Sequence, residues 1–105
     1  MLRQTILDWA EKIGVKVGQI HIRAMKNKWA SCSTTGRVTL DASVMGLDKS
    51  LVDYIVVHEL LHLRIPNHGK LWKSIMRAYL GEYEEMEREL GLKTQPRNRN
   101  TTILR

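Results

Sequence analysis

The most constraining feature of the sequence is an apolar segment at residues 50–65, in which aliphatic residues point in every direction around a helix. Asp48 or Ser50 can cap its first turn, and Pro66, which lacks a backbone N–H, ends it. A helix that is apolar on all sides has no face suited to water, so we expect it at the centre of the fold. Its aliphatic residues are Leu51, Val52, Ile55, Val56, Val57, Leu60, Leu61 and Leu63.

Three ionisable residues interrupt this helix as His58-Glu59-Leu60-Leu61-His62, an HExxH motif. Residues four apart lie one above the other on a helix, so both imidazoles can bind one ion. Glu59 is rotated by about 100° from His58, which places its carboxylate beside the ion. Burying imidazole and carboxylate groups costs free energy unless hydrogen bonds or a bound ion compensate for the lost contact with water. The motif therefore predicts a zinc site in which Glu59 takes a proton from a metal-activated water.

A third metal ligand is available at two places in the sequence. His68 follows His62 by six residues across a short turn. Glu82, with Glu85 close to it, follows on a later helix at a separation found in thermolysin-like enzymes. These two glutamates belong to a charge run, however, and such a run is typical of a solvated helix face. We favour His68 because imidazole suits zinc and because this histidine stands alone at a helix start.

The remaining periodicity predicts one helix before a group of strands and two helices after the HExxH helix. Apolar and polar residues alternate at residues 17–25, as in a half-buried strand with Ile20, Ile22 and Ala24 facing inward. A turn at residues 33–36 predicts a β-hairpin. The other expected helices are residues 2–13, 69–80 and 82–90, and the hairpin strands are residues 28–33 and 37–40.

This order of elements is typical of an α+β domain. We expect a small zincin-like catalytic domain at residues 1–92, in which a short, mostly antiparallel three-stranded sheet packs on the buried HExxH helix and on flanking helices. Residues 93–105 form a basic C-terminal tail that carries four of the six net positive charges. Because the charge lies mainly in this tail, nucleic acid is a partner that we do not favour.

The composition indicates in which cellular compartment the protein is found and whether it spans a membrane. The chain has 105 residues, of which 43% are hydrophobic, and this suits one domain with a single core. Cys32 is its single cysteine, so no internal disulfide can form, as is usual in a reducing compartment. No apolar stretch approaches the roughly 20 residues needed to span a bilayer. The sequence therefore predicts a cytoplasmic protein without a membrane span.

The segments WASCSTTGRVTL and HELLHLRIPNHGKLW together resemble the small YgjP-like and SprT-like metallopeptidases. They resemble even more the stand-alone minigluzincins, whose catalytic domain is similar to that of the HtpX-type membrane peptidases. The resemblance covers roughly residues 20–92 and departs at Ile65-Pro66, where more polar residues often stand. It implies a gluzincin-like half-barrel fold, one zinc ion held by His58, His62 and His68, and Glu59 as the base.

Minigluzincins are restrained by their C-terminal segments, so the resemblance also implies that the tail at residues 93–105 holds this chain as a zymogen. An SprT-like relationship would instead suggest an association of the tail with DNA. We rank the latent form first, because an extended tail is itself similar to a peptide substrate.

Further site residues follow from the chemistry of peptide hydrolysis. A donor is expected to stabilise the transition state, and the candidates are Tyr54, Tyr79, Tyr83 and His21. An edge strand, either residues 28–33 or residues 37–40, is expected to pair with an extended substrate. Trp29 and Cys32 are more typical of core positions than of the cleft. Asn67 is expected to cap the following helix or to orient His68.

The leading interpretation is a zinc-dependent metalloendopeptidase that hydrolyses peptide bonds in a peptide or protein substrate. The alternative is a non-catalytic, zinc-stabilised basic module that binds nucleic acid or a protein partner. A structural zinc site uses four protein ligands and needs no base. Three histidines and a glutamate placed as a base therefore favour the enzyme.

Overall fold

The computed structural model describes residues 2–25 and 28–92, and these ranges form four α-helices and a three-stranded sheet. A single 3-10 helix connects the sheet to the second α-helix. The expected α+β class and element order are thus confirmed, whereas the tail at residues 93–105 lies outside the described ranges. The elements are α1 (Leu2–Ile13), β1 (Gln19–Arg23), β2 (Ala30–Cys32), β3 (Arg37–Asp41), the 3-10 helix (Ala42–Gly46), α2 (Lys49–Leu61), α3 (Lys70–Leu80) and α4 (Glu84–Leu92).

Helix α2 is the central element, as its apolar sequence predicts. Ten of its 13 residues are buried, and it contacts α1, α3, α4 and β2. Asp48, not Ser50, occupies its N-cap position. The helix ends at Leu61, earlier than expected. After Leu61 the backbone forms a 3-10 turn, because the N–H groups of His62 and Leu63 donate to carbonyls three residues earlier in the chain. This tight turn leads the chain into Pro66.

The sheet has the strand order β1-β3-β2. Strands β2 and β3 form the expected antiparallel hairpin, with Gly36 at φ 94° in its turn. A methyl group on Gly36 would lie 3.1 Å from the backbone nitrogen of Gly18, so the turn needs glycine for space as well as for conformation. The hairpin prediction is therefore confirmed.

The expectation of a mostly antiparallel sheet is wrong, because β1 pairs with β3 in parallel over five residue pairs. The chain leaves β1 beside Asp41 and begins β2 opposite Leu40, so the connection stays at one end of the sheet. Strands β1 and β2 are therefore antiparallel to each other. With β3 between them, one of the two pairings must be parallel. The Asp41 carboxylate fixes this connection by accepting a 2.8 Å hydrogen bond from the Met25 N–H.

Strand β1 is more exposed than its alternating sequence suggests. Ile20 is half-buried, but Ile22 is 38% exposed and Ala24 is exposed. Helix α2 packs against β2, at the opposite edge of the sheet, which leaves β1 with less cover. An alternating pattern indicates a strand, yet it does not show how far the neighbouring layer extends.

The helices are joined around α2 by specific polar contacts. The Trp9 indole N–H on α1 donates to Asp53 on α2 at 3.0 Å. The C-terminal carbonyls of α1 accept from Arg64 at 2.9 Å and from the Tyr79 hydroxyl at 3.2 Å. Helix α3 ends at Gly81, where φ is 70°. None of the helices in residues 2–25 and 28–92 has the length and apolar character that crossing a bilayer requires.

Candidate metal centre

Three histidines meet on one side of α2. His58 and His62 lie one turn apart, with ring centroids separated by 5.0 Å. His68 reaches them from the turn after α2, at 5.0 Å from the His58 ring and 4.7 Å from the His62 ring. One ring nitrogen from each histidine falls within 4.8 Å of the others. The structure thus brings together the three residues that the sequence selects as ligands.

The turn before α3 holds His68 in this position. Pro66 prevents α2 from continuing, and the Asn67 side-chain oxygen accepts a 3.2 Å hydrogen bond from the Gly69 N–H. This bond bridges His68, so the expectation that Asn67 orients this histidine fits the geometry. The Nε2 atoms of His62 and His68 are 2.9 Å apart and share a hydrogen bond. One ring donates and the other accepts in this bond, so the two Nε2 atoms face each other.

Glu59 is the most deeply buried charged group at this site. It has no exposed surface, and neither carboxylate oxygen has a hydrogen-bond partner among the described residues. The Nδ1 atom of His58 lies 3.4 Å from one of these oxygens and is also without a hydrogen bond there. Leaving a buried polar group unsatisfied costs about 1–3 kcal/mol, and more if it is charged. Such orphaned groups occur where a ligand, an ion or a water completes the structure.

These residues fit a metal ion. Nitrogen ligands at the usual Zn–N distance of about 2.0–2.1 Å on a tetrahedral ion lie roughly 3.3 Å from one another. The 2.9 Å separation of the His62 and His68 nitrogens is close to that value. The wider spread of the three nitrogens, up to 4.8 Å, can be closed by small rotations of the imidazoles.

Aromatic rings form the wall beside the histidines. Trp72 on α3 is 3% exposed, and its ring centroid lies 4.5 Å from that of His68 and 5.0 Å from that of His58. Tyr54, one turn before His58, approaches that imidazole at 5.8 Å. The sequence interpretation placed Trp72 only on the apolar stripe of α3. Its position in the first turn of the helix that follows His68 is the signal that could have identified it as a neighbour of the site.

The alternative ligands Glu82 and Glu85 do not join the histidines. Both are exposed, and they line a shallow groove of about 410 Å³ with Ser50, Met86 and other α4 residues. Within the described residues, the cluster suited to a metal contains only His58, His62 and His68. The placement of the glutamates therefore agrees with a solvated helix face.

The four candidates for transition-state stabilisation lie in different surroundings. The Tyr79 hydroxyl donates to the Lys12 carbonyl at the end of α1. His21 is exposed on β1, where its ring is next to Gln19. Burial raises the pKa of Tyr54 far above its ordinary value, and the Glu87 carboxylate that its hydroxyl contacts raises this pKa further. Tyr54 therefore remains a neutral donor that is directed to α4.

Tyr83 lies one ring further from the histidines than Tyr54, behind Trp72. It is 3% exposed and its ring lies 6.2 Å from that of Trp72, with Arg77 over its outer side at 5.4 Å. Burial raises the pKa of Tyr83, and the neighbouring Glu84 carboxylate adds to this effect. Its phenol is therefore protonated at neutral pH.

The sheet contributes an edge strand and core residues. Strand β3 lies in the middle, so residues 37–40 are not an edge and that alternative is wrong. Strand β2 is the edge that contacts α2. Trp29, the residue before β2, is 2% exposed and belongs to the core, as expected. Cys32 is half-buried against the same core.

A buried HExxH helix that meets a third histidine and packs on an edge strand is the arrangement of a metal-dependent peptidase. Comparison with known sequences identifies the family: the YgjP-like metallopeptidase domain matches residues 1–93. The chain therefore belongs to the YgjP-like metallopeptidases and is a peptidase.

Individual relatives agree with this assignment. The chain is 39% identical over 77 residues to the uncharacterized protein MJ0123 of Methanocaldococcus jannaschii, which covers 70% of each sequence. The crystal structure of the metallopeptidase zymogen of M. jannaschii jannalysin is similar with a TM-score of 0.76 and 28% identity, covering 85% of this chain and 92% of that one. The zymogen of Pyrococcus abyssi abylysin has the same fold, with a TM-score of 0.75, 24% identity, and coverage of 85% and 90%.

Proposed function

We propose that this chain is a zinc-dependent metalloendopeptidase in which His58, His62 and His68 hold the ion and Glu59 is the general base. One observation carries the proposal: three imidazole nitrogens converge within 4.8 Å beside a buried carboxylate whose oxygens have no partner among the described residues. Three imidazoles suit zinc, and three protein ligands leave a fourth position open, as in catalytic sites.

Zinc bound at the three histidines would polarise the substrate carbonyl and lower the pKa of a water to about 7. The residues of the chain supply the proton transfers. Glu59 takes a proton from the attacking water and passes it to the nitrogen of the leaving amine. Among the described residues no donor bonds to this buried carboxylate, so it can accept a hydrogen bond from that water.

The substrate is a peptide or protein segment that adds to β2, the edge strand beside β3. An extended peptide there can form main-chain hydrogen bonds with the side of the strand that faces away from β3. Helix α2, whose C-terminal end carries His58 and His62, contacts β2, and we propose that a segment paired at this edge extends towards these histidines. Main-chain recognition of this kind is tolerant of side-chain identity, which is expected of an endopeptidase.

Metal removal tests this function. The purified chain is expected to bind about one zinc ion and to cleave unfolded protein substrates, to lose cleavage after dialysis against a strong chelator, and to regain it with stoichiometric zinc. Zinc content by mass spectrometry and cleavage by gel assay are the measurements. One bound zinc without cleavage of any substrate, together with a salt-dependent mobility shift of nucleic acid, would favour the basic binding module.

We also propose that residues 93–105 restrain the enzyme by occupying its cleft. The supporting observations are the four basic residues and absence of acids in this segment and the zymogen state named for the similar jannalysin structure. If the tail occupies the cleft in 90–99% of molecules, its deletion is expected to raise activity by about 10- to 100-fold. The measurement is kcat/KM for peptide cleavage by the full chain and by the chain ending at residue 92.

Two controls separate latency from other effects of the deletion. The shortened chain should bind zinc as tightly as the full chain, because the deletion leaves α4 complete. A synthetic peptide of residues 93–105 should inhibit the shortened chain when added separately. Equal activity of the two chains at equal zinc content would refute the restraint and would leave the peptidase proposal intact.

A further inference from the structure

Trp72 contacts all three histidines at the metal centre. Its ring centroid lies 4.5 Å from His68, 5.0 Å from His58 and 6.0 Å from His62. The first two contacts are edge-to-face and the third is stacked. One indole thus limits the rotation of three imidazoles that approach it from different directions. Edge-to-face and stacked packing are the favourable geometries for such rings.

The indole is itself held by a closed circuit of aromatic rings. Trp72 packs against Tyr83 at 6.2 Å, Tyr83 stacks on Tyr54 at 6.3 Å, and Tyr54 returns to His58 at 5.8 Å. Tyr54 belongs to α2, Trp72 to α3, and Tyr83 to the turn before α4. The orientation of His58 is therefore coupled to the packing of three helices.

We propose that Trp72 is the positioning residue of the metal site, which fixes the three imidazoles in their metal-binding orientation and excludes water from one side of them. This inference rests on the proposed function, because it concerns the same metal. The orientation of His68 depends most on contact with Trp72, because His68 is exposed and lies on a turn. His58, by contrast, is 3% exposed and is held by α2. A hydrophobic wall also limits the access of water to the site.

Trp72 acts through the histidines and not on the substrate. Its indole nitrogen is buried and has no hydrogen-bond partner among the described residues. A shielded atom of this kind is out of reach of a substrate in the cleft. The aromatic ring is therefore the functional part of the side chain, and phenylalanine should replace it better than an aliphatic residue.

The experiment compares Trp72→Phe and Trp72→Leu in the full chain, with Met76→Ala as the matched control. Met76 lies one turn further along α3, is fully buried and contributes to the core. The zinc dissociation constant is measured by competition with a chromophoric chelator, after circular dichroism has confirmed that each variant is folded. The visible spectrum of the Co²⁺-loaded variants reports the coordination geometry independently of activity.

We expect Trp72→Leu to weaken zinc binding by about 10- to 100-fold, the range for residues that orient ligands, and to alter the Co²⁺ spectrum. Trp72→Phe should stay within about threefold of the original chain, and so should Met76→Ala despite its lower melting temperature. Equal dissociation constants for the Phe and Leu variants, or an equal loss in Met76→Ala, would overturn the inference. Failure of the unsubstituted chain to bind zinc would instead refute the proposed function.

Discussion

Replacing Glu59 with glutamine is expected to lower kcat for peptide cleavage by about 10²- to 10⁴-fold, the usual contribution of a general base. Glutamine has nearly the same shape but does not accept a proton from the attacking water. The variant should still bind one zinc ion with similar affinity, because the three imidazoles are unchanged. Cleavage rates at saturating substrate and zinc content by mass spectrometry test both statements.

The same substitution should leave the metal-free protein as stable as before or make it more stable. Glu59 is fully buried, and its oxygens have no hydrogen-bond partner in the described ranges, so a neutral amide is less costly to bury than a carboxylate. A loss of activity without a loss of stability is expected of a residue kept for catalysis. Glu11→Gln, an exposed change on α1, is the control that should affect neither property. Full activity of Glu59→Gln would rule out this base.

The sequence allowed the central helix and the three histidines to be predicted because both depend on local spacing. The four-residue spacing from His58 to His62 corresponds to about one helical turn wherever the helix lies. The apolar surroundings of the motif predicted its burial, and Pro66 predicted a turn that could return His68 to the helix. Information of this kind is contained in short stretches of chain, so it does not require knowledge of the fold.

The other features depend on contacts between distant residues. The parallel pairing of β1 with β3 follows from the path of a connection across the end of the sheet, which no strand pattern shows. The exposure of Ile22 depends on which edge of the sheet α2 covers. Trp72 and Tyr83 were visible as apolar residues on helical stripes, but their circuit with His58 arises only when three helices pack.

His68→Ala is expected to weaken zinc binding by more than about 100-fold, because loss of a ligand should exceed the 10- to 100-fold effect of losing an orienting residue. Cleavage at limiting zinc should fall accordingly. Glu82→Ala is the decisive comparison, since Glu82 is the alternative ligand and lies on the exposed face of the chain near α4. That variant should bind zinc and cleave peptides as the original chain does. The reverse pattern would assign the third position to the glutamate and leave His68 as a turn residue.

Thermal unfolding gives a second measurement of the same assignment. Zinc at 100 times its dissociation constant stabilises the folded chain by about 2.7 kcal/mol, which corresponds to roughly 10–20 °C for a domain of this size. We expect this gain in the original chain and in Glu82→Ala, and its near loss in His68→Ala. Without metal, the loss of stability in His68→Ala should stay within about 1 kcal/mol, because His68 is exposed and the substitution removes one hydrogen bond to His62 and a contact with the Trp72 ring. A protein that loses its response to zinc but not its metal-free stability has lost a ligand and not a part of its core.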